Sequence, residues 1–166
     1  MGRASLPQRR RRAREIALQL MYELDLRPEL STPEAIEMYP FESEDPDVVS
    51  YAKSLVETAS AQSDEIDEIL REHIVGWRTE RMVAVDRAAI RLALCEGLLA
   101  KKVPIAVAIS EAVELTKMFG TVESGRFVNG VLGRIVRSGM SDEPVPTAEI
   151  AEMPEDAGDP LETEHA

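Results

Sequence analysis

Cysteine and histidine are nearly absent from this sequence. Cys95 is the only cysteine in 166 residues, so the chain can form no internal disulfide and no cysteine-based metal cluster. The two histidines, His73 and His165, lie far apart in the sequence, and neither has a second ligand at metal-binding spacing. We therefore expect no metal and no cofactor, and this cysteine usage is typical of a protein of the reducing cytoplasm.

Long apolar runs and enzyme motifs are missing as well. Polar and charged side chains interrupt residues 13–26, so the basic start lacks the apolar centre of a secretory signal, and no later segment resembles a membrane span. We find no glycine-rich phosphate loop after a strand, no G-x-S-x-G motif and no H-E-x-x-H motif. The sequence therefore predicts a protein without catalytic activity and without a membrane segment.

Aromatic residues make up only 4% of the chain, whereas Ala, Leu, Val, Ile and Glu are abundant. An apolar content of 44% can bury one core, and the apolar residues recur at helical spacing. This pattern predicts an all-α protein of about seven helices. The predicted helices begin near Arg9, Thr32, Asp45, Ser63, Glu80, Pro104 and Ser124.

The net charge of -12 argues against binding of nucleic acid, because such binding usually rests on neutralised phosphates. The distribution of the charge points the other way. Residues 1–14 carry six arginines and no acidic residue, whereas residues 142–166 carry nine acidic residues and no Lys or Arg. A basic end on an acidic body can attract a polyanion locally. The alternative is a frayed, solvated helix end whose arginines only promote solubility.

The most informative stretch runs from Val103 to Val136 and predicts two helices joined by a short polar corner. Pro104 suits a first helical turn, and Gly120 after Phe119 predicts a left-handed stop of the first helix. Ser124 is a typical capping residue, so we expect the second helix to begin within a residue or two of it.

This corner places Glu123, Arg126 and Phe127 beside the free N–H groups of a helix N-terminus. A cation, an aromatic face and free donors together suit a single-stranded nucleic acid. The alternative for Phe127 is simple packing in the core. A similar choice exists for Arg87 and Arg91 near Asp86, which form either an intrachain ion-pair set or a strip that faces a partner.

Three segments resemble the NusB family of bacterial transcription antitermination factors. The stretch AISEAVELTKMFG followed by S-x-x-FVNGVL resembles the C-terminal signature of that family. RRRRAREIALQLMYELD is similar to its opening helix, and VDRAAIRLALCEGL to its central helix. The three motifs occur in the family's order and cover most of the chain from Arg9 to Ile135.

The resemblance implies two small three-helix bundles packed together, and binding of the boxA element of ribosomal RNA leader transcripts as a heterodimer with the ribosomal protein NusE. On the matching positions, the resemblance implies RNA contacts by Arg10, Arg11, Arg12, Arg14, Glu123, Arg126 and Phe127. Tyr22 and Asp86 match positions that face NusE. Other Nus factors and RNA polymerase are implied only as indirect partners, and some members form homodimers.

The expected organisation has three parts. Residues 1–8 form a basic flexible N-terminus, residues 9–138 form the helical RNA-binding domain, and residues 139–166 form a disordered acidic tail. The alternative function is a helical scaffold for protein–protein interactions that does not bind RNA directly.

Overall fold

The computed structural model describes residues 2–78 and 81–140, and every regular element in these two ranges is helical. This confirms the predicted all-α class. The helices are α1 (Leu6–Leu26), α2 (Thr32–Met38), α3 (Pro46–Ala61), α4 (Ser63–His73), α5 (Ala84–Ala93), α6 (Ile105–Phe119) and α7 (Ser124–Ile135). The predicted disordered tail falls almost entirely on residues 141–166, which lie outside the described ranges.

The helices pack as two groups. Helix α1 packs on α3, with α2 and α4 beside them, and α6 packs on α5 and α7 in the second group. Contacts between α1 and α5 join the two groups around a continuous core that includes the fully buried side chains Ile16, Leu55, Ile90 and Leu132. Burial of each such side chain contributes about 1.5–3 kcal/mol, so the interlocked core holds the surface helices in fixed relative positions.

Helix α1 begins three residues before the predicted Arg9, because Ser5 and Gln8 form a capping box. The Gln8 N–H donates to Ser5 Oγ at 3.3 Å, and the Ser5 N–H donates to Gln8 Oε1 at 2.8 Å. Part of the predicted flexible segment 1–8 is therefore helical. Ser31, rather than the predicted Thr32, caps α2, and Asp45 caps α3 as predicted.

The predicted helix from Glu80 to Lys101 is present, but its ends and the geometry of its second half differ from the prediction. Helix α5 begins only at Ala84, and the chain continues beyond Ala93 as a wider π-helical segment, Leu94–Leu99. This segment turns the Glu96 side chain into the protein interior. A second π-helical segment, Val136–Met140, follows α7.

Two residues of the π-helical segment Leu94–Leu99 show how tightly it is packed. A Cβ atom on Gly97 would lie only 2.8 Å from Ala108 Cβ, so α6 approaches the chain there more closely than a larger residue permits. Cys95 is completely buried, and burial raises the pKa of its thiol to about 11. Cys95 is therefore an inert apolar side chain of the core.

Candidate nucleic-acid interface

The arginines at the start of α1 point in different directions and meet different partners. Arg11 is exposed and pairs with Glu111 of α6, with an Nη2–Oε1 distance of 3.1 Å. Arg12 donates to Glu44 at 2.6 Å and to Glu15 at 3.0 Å. Such pairs at a solvated surface contribute little to stability and can exchange a carboxylate for a phosphate.

Arg14 does not reach the surface, and its burial argues against the predicted RNA contact. Its side chain is only 5% exposed, because position 14 lies on the side of α1 that faces the core. Nε donates to both carboxylate oxygens of Glu96, at 2.7 and 3.0 Å. Tyr51 of α3 donates its hydroxyl to the same carboxylate, so Arg14 belongs to a buried polar cluster between the two helix groups.

The corner between α6 and α7 differs from the prediction in its backbone geometry. Gly120 adopts φ -102° and ψ -168°, so the chain leaves α6 in an extended conformation rather than through a left-handed stop. Ser124 is the first residue of α7 and does not cap it. Its buried Oγ instead accepts the Thr121 N–H at 2.9 Å, which closes the corner and leaves Glu123 exposed at the N-cap position.

Arg126 and Phe127 lie on the first turn of α7 with different exposures. Arg126 is exposed and forms no ion pair with any described residue. It lines a groove of about 750 Å³ between α6 and α7, together with Lys117 and Asn129. Phe127 is half-buried and packs against the core with part of its ring, so both of its predicted roles find support.

Helix α6 connects the arginines of α1 to this corner. Glu111 raises the pKa of the Arg11 guanidinium through a direct hydrogen bond, and Glu114 adds a smaller electrostatic contribution. Glu114 in turn accepts a hydrogen bond from Lys117 at 2.7 Å, and Lys117 and Arg126 line the same groove. Arg11, Lys117 and Arg126, which we call the basic face, are therefore exposed cations on three neighbouring helices, and the carboxylates of Glu111 and Glu114 lie between Arg11 and Lys117.

Lys117 was not identified from the sequence, because a single lysine in a helix does not by itself indicate a binding site. Its helical spacing contained the signal: Ser110, Val113, Glu114 and Lys117 recur every three or four residues and share the face of α6 that lines the groove.

The two residues predicted to face a partner have different environments. Tyr22 is 38% exposed on α1 and is available for contact. Asp86 is only 5% exposed, and its Oδ1 has no hydrogen-bond partner among the residues that the structure describes. The prediction that Asp86 faces a partner is therefore not supported by its burial. Desolvation raises the pKa of the Asp86 carboxyl, and a hydrogen bond with Ser124 opposes that shift.

Arg87 and Arg91 form the intrachain ion-pair set that was one of the two predicted alternatives. Arg87 Nε donates to Asp25 Oδ2 at 3.1 Å, and Arg91 donates to Asp67 at 3.0 Å and to Asp25 at 3.3 Å. The cluster ties α5 to α1 and α4, so these arginines fix the relative positions of the helices.

We expect Asp86→Asn to be at least as stable as the unchanged protein at pH 7. The native pKa of Asp86 lies above the unfolded value, so its contribution to stability is present at low pH and is lost as the pH rises through the native pKa. Asparagine removes the buried charge and retains an oxygen for Ser124. Urea unfolding at pH 4 and pH 7 measures the difference. A loss of about 1 kcal/mol at pH 7 would instead show that the carboxylate stabilises the adjacent helix N-termini.

No group of His, Cys, Asp and Glu side chains within residues 2–78 and 81–140 is arranged to hold a metal ion. None of the helices in the described part of the chain combines the length and apolarity that a membrane span requires.

The two packed helix groups and the arginines at the start of α1 define the class: an all-helical protein with a candidate nucleic-acid interface. The family model of the NusB family matches residues 11–137. The transcription antitermination protein NusB of Saccharopolyspora erythraea is 48% identical over 134 residues, covering 78% of this chain and 88% of that protein. NusB of Symbiobacterium thermophilum is 40% identical over 136 residues, covering 77% and 89%.

Solved structures show the same relationship. NusB of T. maritima superimposes with a TM-score of 0.70 at 30% identity, covering 84% of this chain and 95% of that one. A structure of the antitermination factors NusB and NusE in complex with dsRNA contains a chain with a TM-score of 0.69 and 32% identity, covering 79% and 98%. The chain therefore belongs to the NusB family of transcription antitermination proteins, as the three sequence motifs predicted.

Proposed function

We propose that this protein is a non-catalytic antitermination factor that binds single-stranded boxA RNA of ribosomal RNA leader transcripts together with NusE. The observation that carries the proposal is the set of exposed cations of the basic face, Arg11, Lys117 and Arg126, on the neighbouring helices α1, α6 and α7. The similar NusB chain that was solved with NusE and dsRNA supports both partners.

The chemistry of the basic face and of the neighbouring arginines of α1 suits an RNA strand. Arg10, Arg11, Arg12 and Arg126 supply phosphate contacts, which provide affinity without reading the sequence. The exposed part of the Phe127 ring supplies a stacking surface for one unpaired base. The exposed carboxylate of Glu123 at the same corner repels phosphate and can accept a hydrogen bond from a base, so it modulates which nucleotide fits there.

NusE binding is assigned to the exposed face of α1 around Tyr22, whose hydroxyl can donate a hydrogen bond across an interface. Asp86 contributes to NusE binding only indirectly, because its carboxylate is buried and forms a hydrogen bond with Ser124 inside the protein.

The direct test is binding of labelled boxA RNA and of a scrambled RNA, with and without NusE. Both RNAs are used as single strands and as duplexes, because the similar complex contains dsRNA. We expect the boxA single strand to bind more tightly than the scrambled strand, and NusE to increase the affinity. Equal binding of boxA and scrambled RNA with NusE present contradicts the proposal.

Salt dependence provides a second test of the proposed contacts. Four arginine contacts to single-stranded RNA predict that log K falls with log salt at a slope of roughly -3, since each contact contributes about -0.7. Fluorescence anisotropy between low and moderate salt measures this slope. A flat response excludes the electrostatic account, whereas a markedly steeper slope shows that further cations reach the RNA.

The ion pairs of α1 and of Arg3, which precedes it, favour one alternative, a protein-binding scaffold whose arginines are structural. Arg3, Arg11, Arg12 and Arg14 all pair with carboxylates of the same chain. A pull-down with and without ribonuclease separates the two functions, because a pure scaffold retains its partners after the RNA is destroyed.

A further inference from the structure

Arg10 differs from the other arginines of the N-terminal cluster. Arg3, Arg9, Arg11, Arg12 and Arg14 each lie within 4 Å of a carboxylate, at distances between 2.5 and 3.7 Å. Within residues 2–78 and 81–140, Arg10 has no carboxylate partner and no hydrogen bond from its guanidinium group. Its five N–H donors are therefore available in this part of the molecule.

The guanidinium group of Arg10 is held in place by an aromatic ring. Its Cζ lies 4.0 Å from the centre of the Tyr51 ring. Lys102 lies beside the same ring, with Nζ 5.3 Å from its centre, and donates to Ser54 Oγ at 2.7 Å. Two cations thus lie beside one half-buried ring, and neither of them is neutralised by a carboxylate among the described residues.

A hydrogen bond to the protein interior holds the Tyr51 ring in place. The Tyr51 hydroxyl donates to Glu96, which is 1% exposed and is already neutralised by Arg14. The negative charge of Glu96 is therefore compensated by Arg14, and the charges beside the ring that lack a carboxylate partner among the described residues are those of Arg10 and Lys102. Because α1, α3 and the π-helical segment Leu94–Leu99 all contribute, the arrangement exists only in the folded protein.

We infer that Arg10, Tyr51 and Lys102 form a phosphodiester-binding subsite. This subsite binds the part of the RNA backbone that extends beyond the basic face of Arg11, Lys117 and Arg126. A planar guanidinium with free donors matches the geometry of a phosphate, and stacking on the ring reduces the side-chain entropy that binding would otherwise cost. Arg10 and Arg11 are consecutive residues of α1, where Arg11 points toward α6 and Arg10 toward α3, so the subsite lies on the α3 side of the helix. This inference rests on the proposed RNA binding and adds Tyr51 and Lys102 to it.

The experiment measures binding of single-stranded boxA RNA and of a scrambled strand of equal length, with NusE present, across a range of salt. The variants are R10Q, R10K, K102Q, Y51L and Y51F. The matched control is R71Q, because Arg71 is an exposed arginine on α4 whose ion-pair partner in the described part of the chain is the neighbouring Glu68. R71Q therefore removes the same charge without touching the subsite. Circular dichroism melting of each variant confirms that folded molecules are compared.

We expect R10Q and K102Q each to reduce the salt slope by about 0.7 and to weaken binding about fivefold at 0.1 M salt, equally for both RNAs. R71Q leaves the slope unchanged. Y51L weakens binding although it removes no charge, whereas Y51F retains the ring and binds normally. R10K restores the slope but not the full affinity, since an ammonium group lacks the planar fork.

The outcomes separate this subsite from the proposed function. Discrimination of boxA from scrambled RNA together with equal slopes for R10Q and R71Q overturns the subsite and leaves the function intact. Equal binding of the two RNAs together with a reduced slope for R10Q and K102Q supports the subsite and contradicts the boxA function. An effect of Y51F as large as that of Y51L assigns the loss to the buried hydroxyl contact with Glu96, and this also overturns the inference.

Discussion

Replacing Arg14 by Met is expected to lower the free energy of unfolding by about 3–5 kcal/mol, because it leaves the Glu96 carboxylate buried without its cation. Glu96 is 1% exposed, and its remaining described side-chain partner is the Tyr51 hydroxyl. A loss of this size is a large part of the roughly 5–15 kcal/mol that stabilises a typical domain. Urea denaturation followed by circular dichroism measures it.

The matched control is the double variant Arg14→Met with Glu96→Gln. It removes both charges and retains an acceptor for Tyr51, so we expect it to recover most of the lost stability. RNA affinity per folded molecule should be nearly unchanged in both variants, because Arg14 does not reach the surface. A protein that keeps its stability but loses RNA affinity on Arg14→Met would restore the role that the sequence predicted for this residue.

Phe127→Ala is expected to weaken binding of boxA RNA by about 1–3 kcal/mol, or roughly 5- to 150-fold, through the loss of one stacked base. Some loss of stability accompanies it, because part of the ring packs against the core. Anisotropy titration at a temperature at which the variant is folded separates the two effects.

Phe41→Ala is the control for this prediction. Phe41 is also half-buried against the core, but it lies between α2 and α3 and stacks beside Tyr39. We expect it to lower stability without changing RNA affinity. If Phe127→Ala behaves in the same way as Phe41→Ala, core packing is the whole role of Phe127.

The local features of the helices were predictable because they depend on neighbouring residues. Asp45 caps α3 and the apolar spacing of α6 and α7 marks their extents, since both effects act within one or two helical turns. The errors were also local. Ser5 and Ser31 supplied capping boxes that were overlooked, and Ser124 closes the corner by accepting the Thr121 N–H rather than by capping α7.

The candidate site was only partly predictable, because exposure and pairing are set by residues far apart in the chain. Arg10, Arg11, Arg12 and Arg14 are near-identical in sequence terms, yet one stacks on Tyr51, two form ion pairs at the surface and one is buried against Glu96. The last three pair with Glu111, Glu44 and Glu96, respectively. These carboxylates lie 32 to 100 positions away in the sequence. No local pattern reports such distances.

The sequence by itself determined the helical class, the family and the basic segment of residues 1–14, because helical period, capping, motif order and local charge are encoded by adjacent residues. Only the tertiary structure decided which cations lie on the surface and which are paired in the interior. The reason is electrostatic: a guanidinium group in the interior must be paired with a carboxylate, whereas the same group on a solvated face remains available, and packing alone determines which environment each arginine meets.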